Sequence, residues 1–149
     1  MGKRTELRYT AFEIIPLVFH RIVVDEMTEW DDVNEENFRR VIKEIDREWT
    51  TDPDLSDIGS SKWLLTFDDG CSSDFEVVFP ILLEANVRAT FFPVINFIGK
   101  NKYLSWEQIK EMQKYGMSPE IVFENKNGNR IESIIFPWII VNYGNRSER

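Results

Sequence analysis

Trp63-Leu64-Leu65-Thr66-Phe67 is apolar at almost every position and runs straight into Asp68-Asp69-Gly70. Side chains of a strand point alternately to its two faces. A strand apolar at consecutive positions therefore needs cover on both faces, the situation of a parallel sheet clad in helices. The flanking segments read the same way. Ile14 to Phe19 is a short buried strand ending at His20-Arg21. Asn34 is a candidate N-cap, with Phe38, Val41, Ile42, Ile45 and Trp49 at helical spacing behind it. Residues 50–61 hold Pro53, Gly59 and several Asp and Ser residues, and read as a loop.

Beyond Gly70, Ser72 or Ser73 can cap a helix bearing Val77, Val78, Ile81 and Leu82, which Pro80 must kink or restart. Val87 to Val94 is a third strand. Ser105 and Gln108 pair as a capping box for a helix carrying Ile109 and Met112, closed by Gly116. Strand and helix alternate throughout, which predicts an α/β fold with a parallel sheet or barrel. After Met117 the rhythm changes. Glu120 to Phe123, Asn127-Gly128 and Ile131 to Phe136 predict a hairpin, and an apolar run continues to Val141.

Composition narrows the partners. A chain of 149 residues with 13% aromatic content can build one real core, and its formal charge is −8. That balance argues against nucleic acid and anionic membranes, which need a basic face. The acids crowded between Asp25 and Asp54 are expected on a solvated helix face and its loops. Cys71 is the only cysteine, so no disulfide forms within the chain; its ordinary use is as a small turn residue. Neither a signal peptide nor a stretch of transmembrane length is read, leaving a soluble, cytoplasmic chain as the default.

Two adjacent acids at a strand end can divide two roles, one holding a cation and one accepting a proton. Their bland use is a turn that caps the following helix. His20, the only imidazole in the chain, closes the first strand and either serves there structurally or faces the same mouth. Trp63 and Trp106 could stack on sugars, although core packing is the commoner use of such residues.

The ordered series carries a resemblance. Thr66-Phe67-Asp68-Asp69-Gly70 resembles the first motif of the polysaccharide deacetylases, the group with a NodB homology domain. Pro16 to Ile22, Val78 to Leu82, Ala89 to Phe92, Leu104 to Trp106 and Met112 to Met117 resemble the segments that accompany it. The resemblance covers about residues 14 to 117. It implies a partial (β/α) barrel and a metal-dependent hydrolase that removes acetyl groups from an N-acetylated polysaccharide. Asp68 matches the general base and Asp69 a ligand of a divalent metal such as Zn²⁺, with His20 a further candidate ligand.

The chain departs from the pattern after Met117. The family's pair of histidines about four residues apart has no match, because no histidine follows His20. The late arginine motif, the apolar wall motif and the general-acid histidine are also unmatched. Residues 1–117 therefore read as a partial deacetylase-like domain and 118–149 as a divergent, hairpin-like tail, either frameshifted or a genuine ending. Its apolar end offers a surface for self-association. Three functions follow: a deacetylase, a non-catalytic remnant that binds glycan, and a Mg²⁺-dependent phosphoryl-transfer site. The last lacks a glycine-rich phosphate loop.

Overall fold

The structure is a computed structural model that describes residues 14–45, 62–124, 127 and 129–135. In chain order its elements are β1 (Ile14–Phe19), β2 (Arg21–Val23), β3 (Asp32–Asn34), α1 (Glu35–Glu44) and β4 (Lys62–Asp69). A π-helical turn, Asp74–Val78, leads into α2 (Phe79–Ala85), followed by β5 (Thr90–Pro93), α3 (Trp106–Lys114), β6 (Ser118–Glu124) and β7 (Arg130–Ile135). Trp49, the expected loop over 50–61, Gly128 and the apolar run 136–141 lie outside the described residues.

One sheet takes the order β1-β4-β5-β6-β7, and its first four strands are parallel. β2 and β3 form a separate two-stranded parallel pair. The expected α/β architecture is present. β6 pairs in parallel with β5, Thr90 beside Ser118, and then antiparallel with β7, Ile121 beside Ile134. Ser118 to Glu124 is thus both the next parallel strand of the sheet and the first arm of the expected hairpin.

Local chemistry explains the element ends. The Asn34 carboxamide oxygen accepts from the Glu36 and Asn37 amides at 2.8 and 3.3 Å, opening α1. At α3 the Gln108 amide donates to Ser105 Oγ at 3.1 Å, and the Ser105 amide donates to Gln108 Oε1 at 2.9 Å. Pro80 restarts the helix by sitting in the first turn of α2, where its missing N–H costs nothing. The serine cap expected before it is not made. Ser73 precedes the π-helical turn, but its hydroxyl makes no capping bond and is buried without a hydrogen-bond partner. Backbone carbonyls of Cys71 and Ser72 take the first amides instead.

The core is organised around aromatic rings. Phe19, Phe67 and Phe91 lie side by side on neighbouring strands. Their rings stack at 5.3 Å between Phe19 and Phe67 and 4.8 Å between Phe67 and Phe91. Phe38 of α1 meets Phe19 and Phe67 edge-on. Trp63 and Trp106 pack against this core, which is the ordinary use allowed for them.

Candidate active site at the strand ends

His20 follows the last residue of β1, and Asp68-Asp69 are the last residues of β4. Parallel strands bring their carboxyl ends to one side of the sheet, where open α/β sheets place ligands. Register does the rest. Phe19 lies beside Phe67, so the residues one step further, His20 and Asp68, leave the sheet as neighbours. His20 Nε2 stands 3.8 Å from Asp68 Oδ2, and both side chains are about one-third exposed. On the other side of the ring, His20 Nδ1 stands 3.6 Å from Asp31 Oδ2. In either tautomer one ring N–H faces a carboxylate. The structure brings His20 and Asp68 together and adds Asp31, a residue sequence reasoning had placed among solvated acids.

Asp69 is shaped by its backbone. It holds φ at +73° and is followed by Gly70 at +71°. Such angles strain most L-residues, and Asp and Asn bear them best. Gly70 is needed for a second reason: a Cβ there would lie 2.7 Å from Cα and Cβ of Pro93 on β5. The Gly70 carbonyl accepts from the Leu104 amide at 2.9 Å. The turn that presents the two acids is therefore fixed by β5 on one side and the approach to α3 on the other.

Two further acids stand behind the mouth, and neither is solvated. Asp32, expected on a wet face, is buried and accepts from Arg21 Nε at 2.7 Å and Nη2 at 2.6 Å. It also takes the Thr28 and Glu29 amides at 2.8 and 2.9 Å. The Arg21 bonds first, with help from these amides, hold its carboxyl well below the usual carboxylate range. Burial dominates at Asp74. Both its carboxylate oxygens are buried without a hydrogen-bond partner. Burial, then the charges of Asp69 and Asp68, push its carboxyl well above the ordinary range. Burial and the nearby Asp74 and Asp69 also raise the Cys71 thiol to about 11. A thiol so placed is almost wholly protonated at neutral pH and is a poor nucleophile.

Sequence periodicity could not announce these partners. Arg21 and Asp32 are eleven residues apart on two short strands, and Asp74 looks like an ordinary first-turn helix acid. The presence of Arg21 directly after His20 was the one available signal.

Residues 56–121 match the polysaccharide deacetylase family. Within the chain, 57 residues are 39% identical to the Bacillus subtilis (strain 168) protein YxkH, which carries a polysaccharide deacetylase name. That stretch is 38% of this chain and 20% of the relative. IcaB from Ammonifex degensii has a similar fold, with a TM-score of 0.64 at 20% identity over 80% of this chain and 59% of that one. A de-N-acetylase from Aggregatibacter actinomycetemcomitans gives 0.62 at 18% identity, covering 79% of this chain and 60% of its own. The deacetylase PplD of Streptococcus pyogenes gives 0.59 at 25% identity, over 76% and 55%. The chain thus spans a fifth of the curated relative and about three-fifths of the solved deacetylase structures.

Polysaccharide deacetylases are generally metal-dependent, and the donors here can be set against that need. Among the described residues, no three His, Cys, Asp or Glu side chains come together in a way that could hold a metal ion. The two ring nitrogens of His20 face Asp68 and Asp31. A catalytic zinc takes about three protein ligands. These residues alone do not fit one. Among the same residues, no helix is long and apolar enough to cross a membrane.

Proposed function

We propose that this chain carries the carboxylate side of a carbohydrate de-N-acetylase site. The reaction is amide hydrolysis: water adds to the acetamido carbonyl, the C–N bond breaks, and acetate and a sugar amine are released. Asp68 accepts the proton of the attacking water, at the end of a rigid buried strand. His20 holds Asp68 from the side and is itself held by Asp31. Asp69, with His20, is the residue assigned to a divalent cation. Two donors fall short of a zinc site, so cation binding by this chain alone is weak on this reading. The observation that carries the assignment is the 3.8 Å approach of His20 to Asp68 across the β1–β4 strand ends.

Acetate release from N-acetylglucosamine oligomers, with and without added Zn²⁺, tests it. Asp68→Asn is expected to lower any release by at least about 100-fold, the usual worth of a positioned base. Release that survives Asp68→Asn removes Asp68 from the base role. A calorimetric titration with Zn²⁺ showing no binding at millimolar concentration would remove Asp69 and His20 from the cation role. The incomplete donor set favours one second reading, a module that binds glycan without hydrolysing it. Saturable glycan binding with no acetate release selects that reading.

A further inference from the structure

Trp30 is 92% exposed, the most exposed of the large apolar side chains among the described residues, and it sits one residue from Asp31. Asp31 reaches His20 Nδ1 at 3.6 Å, so the backbone that carries the exposed indole runs beside the His20–Asp68 mouth. Its loop is not slack. The Asp32 carboxylate gathers the Arg21 guanidinium and the Thr28 and Glu29 amides, and Arg21 Nη2 also donates to Thr28 Oγ1 at 2.8 Å. Both ends of the Thr28–Asp32 turn are thereby tied to one buried charge, and Trp30 is carried at its crest. A bulky ring held in water on a pre-ordered turn has its ordering cost met before any ligand arrives.

From this we infer that Trp30 is a sugar-stacking platform, the outer subsite of the glycan that the Asp68 mouth takes. The inference rests on the carbohydrate reading above and extends it to a residue outside the acid pair. An indole face suits the apolar C–H face of a pyranose ring, and its N–H can serve a hydroxyl. Val24 and Met27, in the segment that leads into this turn, are also exposed, at 61% and 59%. A lipid surface is the competing partner for such exposed side chains. Asp25, Glu26 and Glu29 alternate with these residues and repel anionic headgroups, whereas a neutral N-acetylated sugar meets no such barrier.

The test uses the full chain with its five tryptophans labelled as 5-fluorotryptophan, the Trp30 resonance being assigned by Trp30→Phe. β-1,4- and β-1,6-linked N-acetylglucosamine oligomers are titrated in, and separately vesicles of phosphatidylcholine with phosphatidylglycerol. The expected result is a saturable shift of the Trp30 signal with one of the oligomers and none with vesicles. Trp30→Ala should weaken that binding about tenfold and Trp30→Phe less, since a smaller ring still stacks. A Trp30 signal that no oligomer moves, one that only vesicles move, or equal affinity in Trp30→Ala overturns the platform. Binding at Trp30 with no acetate release would leave it standing and sink the hydrolase reading. Release with unchanged affinity in Trp30→Ala would do the reverse.

Discussion

Asp74 is a carboxyl sealed in the protein with Asp69 and Asp68 as its nearest electrostatic company, and its folded-state affinity for a proton is raised. Between the ordinary carboxylate range and that raised value, the folded chain binds a proton that the unfolded chain has lost. Stability contributed by this group is therefore present at low pH and falls as pH rises through the window. Asp74→Asn keeps the shape and removes the titration. It should raise the midpoint of thermal unfolding at pH 7, and the gain should shrink as pH falls toward about 3, below the ordinary carboxylate range, where the native acid is protonated in both states. Scanning calorimetry across that range checks it; a gain that is flat with pH would show that burial of the charge is not the cause. Asp32 titrates in the opposite sense, since its depressed carboxyl contributes stability at neutral pH that is lost only in strong acid.

At the scale of single elements, the turn from β4 into the π-helical segment has the narrowest tolerance. Gly70 combines φ of +71° with backbone and side-chain atoms of Pro93 where a Cβ would go. Gly70→Ala should cost at least about 2 kcal/mol, from backbone strain and overpacking together. Gly99 also has a positive φ, +83°, but open space around it. Gly99→Ala should cost only the strain, about 1 kcal/mol. Urea unfolding of the pair separates the two contributions, and equal losses would rule out the Pro93 clash. Elements whose ends depend on neighbours in sequence were the legible ones. Asn34 reaches its own helix amides, Ser105 and Gln108 are three apart, and Pro80 acts on its own backbone. The candidate site was legible at the ends of β1 and β4, where His20 and Asp68 come together. It was not legible at Asp31 and Asp32, because what distinguishes these from the acids around them is a partner that only the fold supplies.

For the molecule as a whole, the sheet and its aromatic core fix the relative heights of the strands. Phe67 touches Phe19, Phe38 and Phe91 and is fully buried. Phe67→Ala should cost about 3–5 kcal/mol, the range for emptying such a site. Phe97 makes one ring pair, with Tyr103, on a half-buried loop. Phe97→Ala should cost clearly less. Chemical denaturation of both variants tests the ranking, and similar losses would mean that the ladder is not the centre of the core. Among the described residues β1 and β7 are the outer strands of the sheet, and backbone groups on such edges are available to other chain segments.

The phenylalanine ladder also acts as a spirit level for the reactive groups. His20 and Asp68 each stand one residue beyond a rung, so their heights above the core follow the β1–β4 ladder that the stacked Phe19 and Phe67 rings brace. A smaller or tilted ring in the ladder would let one strand slip against the next and change the imidazole–carboxylate gap. Damage deep inside the protein would then be felt as a shifted His20–Asp68 pair at the surface, before the fold itself gave way.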